Sequence, residues 1–311
     1  MLIHIQNLVD DGRCYEVVRQ LRWPEGVRCP HCQSAGIAKR GFHSQQKARQ
    51  RYRCHGCGRE FDDLTETIFE DHHQPLKVWV LCLYLMGLNL SNEQIAAELD
   101  LASGDAQAMT SQLRAGVVEK KRPVELSGEV EADEVYVVAG HKGHPAIVRK
   151  LGRKGRRRRL KGQRGRGTLE KEKPPIMGLF QRNGEVAIQL LPNVQQATIQ
   201  PVLVETVQAE SVLYTDEYDI YRRLTEWGYR HKSVNHSQGE YARDDDGDGF
   251  HEVHVNTLEG FWSLLRSWLR PHRGISQEKL PLYLGFFEFV HNVRRRGKAL
   301  LASLLTLLLA P

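Results

Sequence analysis

Two sets of side chains in this sequence are spaced for chemistry. The first is a group of carboxylates on a stretch built to be apolar. Residues 129–138 read Glu-Val-Glu-Ala-Asp-Glu-Val-Tyr-Val-Val, and the β-branched and aromatic content predicts a strand. On a period-two ribbon Glu129, Glu131 and Asp133 point one way and Val130, Ala132 and Glu134 the other. Carboxylates so close repel one another unless a cation sits among them, and a divalent metal ion is the usual partner. The alternative is an edge strand with a solvated acidic face. Two later carboxylates favour the metal. Asp216 ends the short apolar run 211–215 and precedes a helix-like stretch, 217–224. Open α/β sheets build their sites at such strand ends, although Asp is also a favoured helix N-cap. Glu259 lies in a segment whose Leu258, Phe261, Trp262 and Leu265 recur at helical spacing. Glu259 and Arg266 are two turns apart on one face, and Asn256 precedes Glu259 by about one turn.

The second set is sulfur. Cys29-Pro-His-Cys32 and Cys54-His-Gly-Cys57 are separated by 21 residues, the spacing of two knuckles that close a structural tetrathiolate Zn²⁺ site, a zinc ribbon. Strands are expected at 38–42, 51–53 and 60–62, with the metal contributing to the folding energy. His31 and His55 lie inside the loops and are not expected as ligands, and Cys14 reads as a core residue. Lys39, Arg40, Lys47, Arg49, Arg51 and Arg53 make the ribbon basic, which favours nucleic acid as its partner.

Three stretches then carry a resemblance. Glu131-Ala-Asp-Glu-Val-Tyr136, Tyr214-Thr-Asp-Glu-Tyr218 and His254-Val-Asn-Thr-Leu-Glu-Gly-Phe-Trp-Ser-Leu-Leu-Arg266 resemble, in order and local context, the ISXO-like DDE transposases of bacterial insertion sequences. With the ribbon, the resemblance covers most of the chain. It implies a ribonuclease H-like catalytic domain with Asp133 and Asp216 as metal ligands. Glu259 competes with Asn256 for the third place, because some members carry Asn there. Arg266 stands where the family usually has Lys and is implied to contact phosphate or DNA. Residue chemistry alone reaches a metal-dependent nuclease: hard carboxylate oxygens select Mg²⁺ or Mn²⁺, and two such ions suit in-line phosphoryl displacement. The resemblance adds transposon ends, strand transfer to target DNA and, because two ends are joined, a homodimer. The alternatives are a nuclease or resolvase without strand transfer, a non-catalytic zinc-ribbon DNA-binding regulator, and a protein adaptor.

The elements that must position these groups fill an α+β multidomain chain. Its 311 residues suggest two or three domains, 41% apolar content suffices for a core, and a net charge of +6 favours a polyanionic partner. No uncharged apolar run reaches 18 residues, so no membrane span is expected. The start lacks the pattern of a signal peptide. A cytoplasmic, nucleoid-associated location follows as an expectation, and with it metal rather than disulfide for the paired cysteines. Residues 1–72 are read as an N-terminal helix and the ribbon. Residues 73–125 are read as a helix-turn-helix DNA-binding region, with a helix at 76–86, a capping-box variant at Ser91–Gln94 and a recognition helix at 105–114. That helix offers Gln107, Thr110, Ser111, Gln112 and Arg114 to DNA, although an ordinary helical hairpin reads similarly. Residues 117–128 read as a polar linker. Residues 126–311 form the expected catalytic domain: the acidic strand, a basic loop at 140–175, a hairpin turning at Asn183-Gly184, a helix at 196–207, the strand ending at Asp216, the helix of Glu259 and C-terminal helices. This order matches a ribonuclease H-like sheet. Between Arg149 and Arg166 stand eleven Lys or Arg and no acid; Arg153, Lys154, Arg156, Arg157, Arg158 and Arg159 are the expected grip on double-stranded DNA, transposon end or target. Residues 244–249 mimic part of a calcium loop and read as a polar loop flanked by His236 and His254, either of which could reach the site. The Leu-rich segment 299–309 reads as a buried or partner-docking helix.

Overall fold

Asp10 starts the first helix, α1 (Asp11–Arg22), by accepting the Arg13 amide at 3.0 Å. The computed structural model describes residues 10–152 and 167–310. The chain divides into two units, Met1–Lys121 with Arg296–Pro311, and Arg122–Arg295.

In the first unit, β1 (Ile37–Phe42), β2 (Gln50–Cys54) and β3 (Glu60–Asp62) form a three-stranded antiparallel sheet, close to the expected strands. Asp63 ties that sheet to α1: fully buried, it accepts from Arg19 Nε at 3.0 Å, the Gln50 amide at 2.7 Å and the Tyr52 hydroxyl at 3.0 Å. α2 (Leu76–Gly87), α3 (Asn92–Glu98) and α4 (Ser103–Lys120) follow. Ser91 and Gln94 make the anticipated capping box at the start of α3. α4 runs well past the expected Arg114 and takes up part of the supposed linker, because Leu113, Gly116 and Val117 keep one face buried and no proline intervenes before Pro123.

In the second unit a five-stranded sheet has the order β6-β5-β4-β7-β8. Its strands are β4 (Glu129–Tyr136), β5 (Pro175–Gln181), β6 (Val186–Leu190), β7 (Val212–Thr215) and β8 (Arg230–Ser233). β4 pairs antiparallel with β5, and β5 with β6; β4 pairs parallel with β7, and β7 with β8. The acidic strand is therefore central, which removes the edge-strand alternative. A short helix, α5 (Pro145–Lys150), follows β4, and α6 (Gln196–Thr206) crosses between β6 and β7. α7 (Asn256–Leu269) and α8 (Leu280–Arg295) complete the unit.

The strand alternation is as the sequence implies. Val130 and Ala132 pack with Leu179, Leu203 and Leu213 in one cluster, while Val135 packs with Phe180, Leu258, Trp262 and Phe287 in another. The edge strand β6 is closed by side chains rather than a sixth strand: Asn292 of α8 bonds both the amide and the carbonyl of Val186, and Glu288 accepts the Ile188 amide at 2.9 Å.

The last helix, α9 (Leu300–Leu309), departs from expectation. It belongs to the first unit rather than to the region of 126–295, and it buries Leu301, Leu304, Leu305, Leu308 and Leu309 there. Its Leu308 lies against α4 at Gly116, where a Cβ would stand 3.0 Å away. Among the described residues no helix is long and apolar enough to cross a membrane.

Candidate active site

Asp133 points from the middle of β4 toward α7, and Trp262 meets it: the indole Nε1 donates to Asp133 Oδ2 at 2.8 Å. The edge of the indole comes close to the sheet because the residue opposite Asp133 on β5 is Gly178. A Cβ there would come within 2.4 Å of the ring. Burial pushes the Asp133 carboxyl up to about 6; the indole N–H and the Glu134 amide oppose the shift, and the charges of Asp216 and Glu259 add to it. Asp216 and Glu259 thus both lie near enough to act electrostatically on Asp133.

Asp216 follows the C-terminal end of β7, as expected, and accepts the Tyr218 amide at 3.0 Å. The helix expected after it is a short 3₁₀ turn, Asp219–Arg223. That turn carries the buried Tyr221, whose hydroxyl donates to Glu134 on the other face of β4. Glu217 ties this segment to the turn at His236–Gln238, accepting the amides of His236 at 3.0 Å and Ser237 at 3.1 Å. Its own amide and these two hold the Glu217 carboxyl below the usual range, against burial. From the same turn His236 Nδ1 comes within 4.0 Å of Glu259 Oε1. Asp133 is therefore tied to the helix that carries Glu259 through Trp262, and the segment after Asp216 reaches Glu259 itself through Glu217 and His236. Glu259 is half-exposed and Asn256 opens the same helix.

The helix that carries Glu259 is held by Glu131. This carboxylate, fully buried, accepts the Leu258 amide at 2.9 Å and so satisfies an N-terminal N–H that Val255, at the N-cap, cannot. Arg182, from the turn between β5 and β6, compensates its charge. Arg182 Nε donates to Glu131 at 3.0 Å, and its other nitrogens donate to the Glu252 carbonyl at 2.7 Å and the His254 carbonyl at 2.9 Å, with the guanidinium 3.9 Å above the Tyr214 ring. The Asn256 amide lies 3.3 Å from His254 Nδ1. Burial, with Arg182, pushes His254 below its ordinary range, which suits an imidazole nitrogen that accepts this bond. Of the two flanking histidines, His236 lies at the carboxylates and His254 at the helix start. The sequence reading missed the roles of Trp262, Arg182 and Gly178, and it placed Glu131 beside Asp133 on one strand face without giving it a part of its own. The alternation put Glu131 on the right face, but nothing in the local sequence reveals the partners.

The oxygens of Asp133, Asp216 and Glu259 spread wider than a single-ion cage. Among the described residues, the clusters with all ligand atoms within 4.8 Å of one another are the four cysteines and Asp244, Asp246 and Glu252. The latter carboxylates are engaged in their own turn: Asp244 accepts the amides of Gly247 and Gly249, Asp246 that of Asp248, and Glu252 the Lys232 ammonium.

Cys29, Cys32, Cys54 and Cys57 fit zinc closely. Sγ separations of 3.7 Å for Cys29–Cys57 and 3.5 Å for Cys32–Cys54 match the edges, about 3.8 Å, of a tetrahedron with Zn–S near 2.3 Å. The Cys57 amide points at Cys54 Sγ and helps bring that thiol down to about 6. His31 instead meets Glu66 at 2.6 Å, and buried Cys14 is pushed up to about 12 by burial, as a core residue should be.

The DNA-facing expectations fare unevenly. α3 and α4 are joined by a short turn, but Thr110 and Arg114 are buried, and Thr110 Oγ1 donates to Asn92 Oδ1 at 3.1 Å. That corrects their place in the contact set, since the face they occupy is the packing face of α4. Gln112 donates to the Ile68 carbonyl. Gln107 is exposed and Ser111 partly so. Arg266 is exposed on α7. Arg153, Lys154, Arg156, Arg157, Arg158 and Arg159 lie outside the described residues.

The profile of the ISXO2-like transposase domain matches residues 125–292, and that of a transposase zinc-ribbon domain matches residues 9–60. The chain belongs to the ISXO2-like transposase family, and its four cysteines form the structural zinc site of the ribbon. An uncharacterised protein of the transposable element ISH50 from Halobacterium salinarum is 35% identical over 309 residues, spanning 98% of this chain and 99% of the relative. A transposase-like protein of Haemophilus influenzae is 31% identical over 103 residues, 33% of this chain and 77% of the relative. A chain in the complex of a simian T-cell lymphotropic virus intasome with a phosphatase regulatory subunit overlaps at a TM-score of 0.29, with 9% identity over 66% of this chain and 67% of that one. That overlap is too loose to inform the fold.

Two outcomes follow. Because the Asp133 carboxyl is raised to about 6, its ionisation opposes folding, and the penalty is absent below the unfolded value near 4 and complete above about 6. In metal-free buffer Asp133→Asn should therefore stabilise the protein by about 2 kcal/mol at pH 8, allowing for partial exposure. By pH 3.5 the gain should fade, as read by denaturant unfolding. Chelation of zinc, or Cys54→Ser, should melt the ribbon first. Tyr52 and Phe61 would leave their stacked contact, and amide exchange across β1 to β3 should rise while β4 and β5 stay protected.

Proposed function

We propose that the second unit is a ribonuclease H-like DDE catalytic domain that cuts the ends of an insertion sequence and transfers them to target DNA. The observation that carries this reading is the Asp133 carboxylate. It sits on the central strand, is held by an indole of the helix that bears Glu259, and has its pKa raised mainly by burial and further by the charges of Asp216 and Glu259. A site that gathers mutually repelling carboxylates is suited to a cation. The sheet order, an antiparallel hairpin on one side of β4 and two parallel strands on the other, supports the fold assignment. So does family membership.

Asp133, Asp216 and either Glu259 or Asn256 would hold two Mg²⁺ or Mn²⁺ ions, a choice that hard oxygen donors favour. When bound, such ions supply Lewis acidity for in-line displacement at phosphorus, lowering the pKa of an attacking water or 3′-hydroxyl and stabilising the departing 3′-oxygen. The chain does the positioning. Trp262 fixes the orientation of Asp133, Glu131 and Arg182 fix the start of α7, and Arg266 offers its guanidinium to a phosphate. The ribbon, with Gln107 and Ser111 on the exposed side of α4, reads the ends in this account. The arginine-rich run 153–166 adds sequence-independent affinity by displacing counterions. Two ends require two active sites, so the working form is a homodimer on double-stranded DNA.

The test uses the full chain, Mg²⁺ and a labelled duplex made from the DNA that flanks its gene. Asp216→Asn should cut at least about a hundredfold more slowly while binding that duplex nearly as tightly as the parent. An unimpaired Asp216→Asn would remove the catalytic assignment. Comparing Glu259→Gln with Asn256→Ala identifies the third ligand. Joined products in the same reaction separate a transposase from a nuclease that only cuts.

A further inference from the structure

Beyond the carboxylates, the second unit contains a cavity of about 300 Å³ at the end of β4. Its buried floor is Ala139, Ile275 and Leu280, and its walls are Val137, Val138 and Leu269. Arg266 and Arg270, one helical turn apart, line it as well. Neither guanidinium has a carboxylate partner among the described residues. An apolar cavity bordered by two uncompensated cations calls for a ligand with an apolar body and an anionic group. A volume near 300 Å³ lies at the lower limit for small-molecule sites.

We propose that this pocket receives one unstacked nucleotide of the DNA being processed, its base against Val137, Leu269 and Ile275 and its phosphate between Arg266 and Arg270. The proposal rests on the reading of the second unit as a DNA-cutting domain and adds to it a binding site outside the carboxylates. The covalent connections fix the distance. Val137 lies four residues beyond Asp133, roughly 13 Å along an extended strand. Arg266 is one turn beyond Trp262, the residue that holds Asp133. At about 3.4 Å of rise per nucleotide, the pocket falls within about four nucleotides of the phosphate at Asp133. A base that leaves the stack loses stacking and pairing energy and regains contact with apolar side chains. Two arginines at the phosphate hold it there by charge-assisted bonds.

The experiment places 2-aminopurine at each position, one at a time, through the element–flank junction of a duplex made from the DNA flanking the gene. Fluorescence is read on binding of the full chain, and cutting is followed in parallel. One position within about four nucleotides of the cut should brighten several-fold, because an unstacked 2-aminopurine is no longer quenched by its neighbours. Val138→Trp, which fills the mouth from an exposed position, should abolish the brightening, and Arg270→Ala should weaken it, with both variants melting like the parent. If the parent cuts and no position brightens, the pocket assignment is overturned while the catalytic reading stands. If the duplex is bound and not cut, the catalytic reading fails and the brightening alone decides the pocket. If Val138→Trp turns a dimer into a monomer in sedimentation and leaves the brightening unchanged, the cavity belongs to a second copy of the chain and the proposal is wrong.

Discussion

The structure of the second unit depends on placing an ionisable carboxyl in the middle of a central strand. Asp133 has β5 on one side and the β7 end of the sheet on the other, with α7 above it, and its environment favours the protonated form. The surroundings tolerate this because Trp262 supplies a hydrogen bond where an aliphatic residue would supply none. Gly178 lets the indole approach the sheet closely enough to do so. A carboxylate retained at a stability penalty, with its rotamer fixed by a large ring, is poorly explained as packing, which is why a ligand role is proposed for it.

The same constraint governs the opposite partner. A carboxylate on a helix, such as the proposed ligand Glu259, is only as well placed as the helix start, and α7 has no side-chain cap of its own. Its orphan N–H groups are met instead by Glu131 from the sheet and His254 from the preceding loop. Arg182 reaches both sides of that junction. Glu131 and Asp133, two residues apart on one strand face, thus share a helix. The first sets where α7 begins, and the second is gripped by a residue one and a half turns along it. Chain segments far apart in sequence are brought into register by a two-residue repeat.

Much of this was legible beforehand, for identifiable reasons. Strand alternation placed Glu131 and Asp133 on one face, helical spacing placed Leu258, Phe261, Trp262 and Leu265 on the buried side of α7, and paired Cys-x-x-Cys motifs announced the zinc site. Those signals are local. What escaped depends on distant partners. Arg182 sits in a turn and looks like a solvated charge until the fold brings Glu131 to it. Gly178 has no meaning until Trp262 lies over it. β8, reading Arg-His-Lys-Ser, has no apolar pattern and forms because its neighbour β7 offers a parallel edge. Thr110 and Arg114 looked available on α4 because polarity was taken for exposure, whereas the packing of the first unit buries both. The last helix was assigned by sequence proximity to the region before it, while its leucines pack in the first unit.

Asp133 and Asp216, with a third ligand on α7, are proposed to form a site for hard divalent ions. Crystals of the full chain grown with Mn²⁺ and examined for anomalous scattering address it directly. Manganese peaks are expected between Asp133 and Asp216, on the side facing Glu259 and Asn256. Manganese found only at Asp244, Asp246 and Glu252, with the carboxyl of Asp133 still bonded to Trp262 and empty of metal, would contradict it.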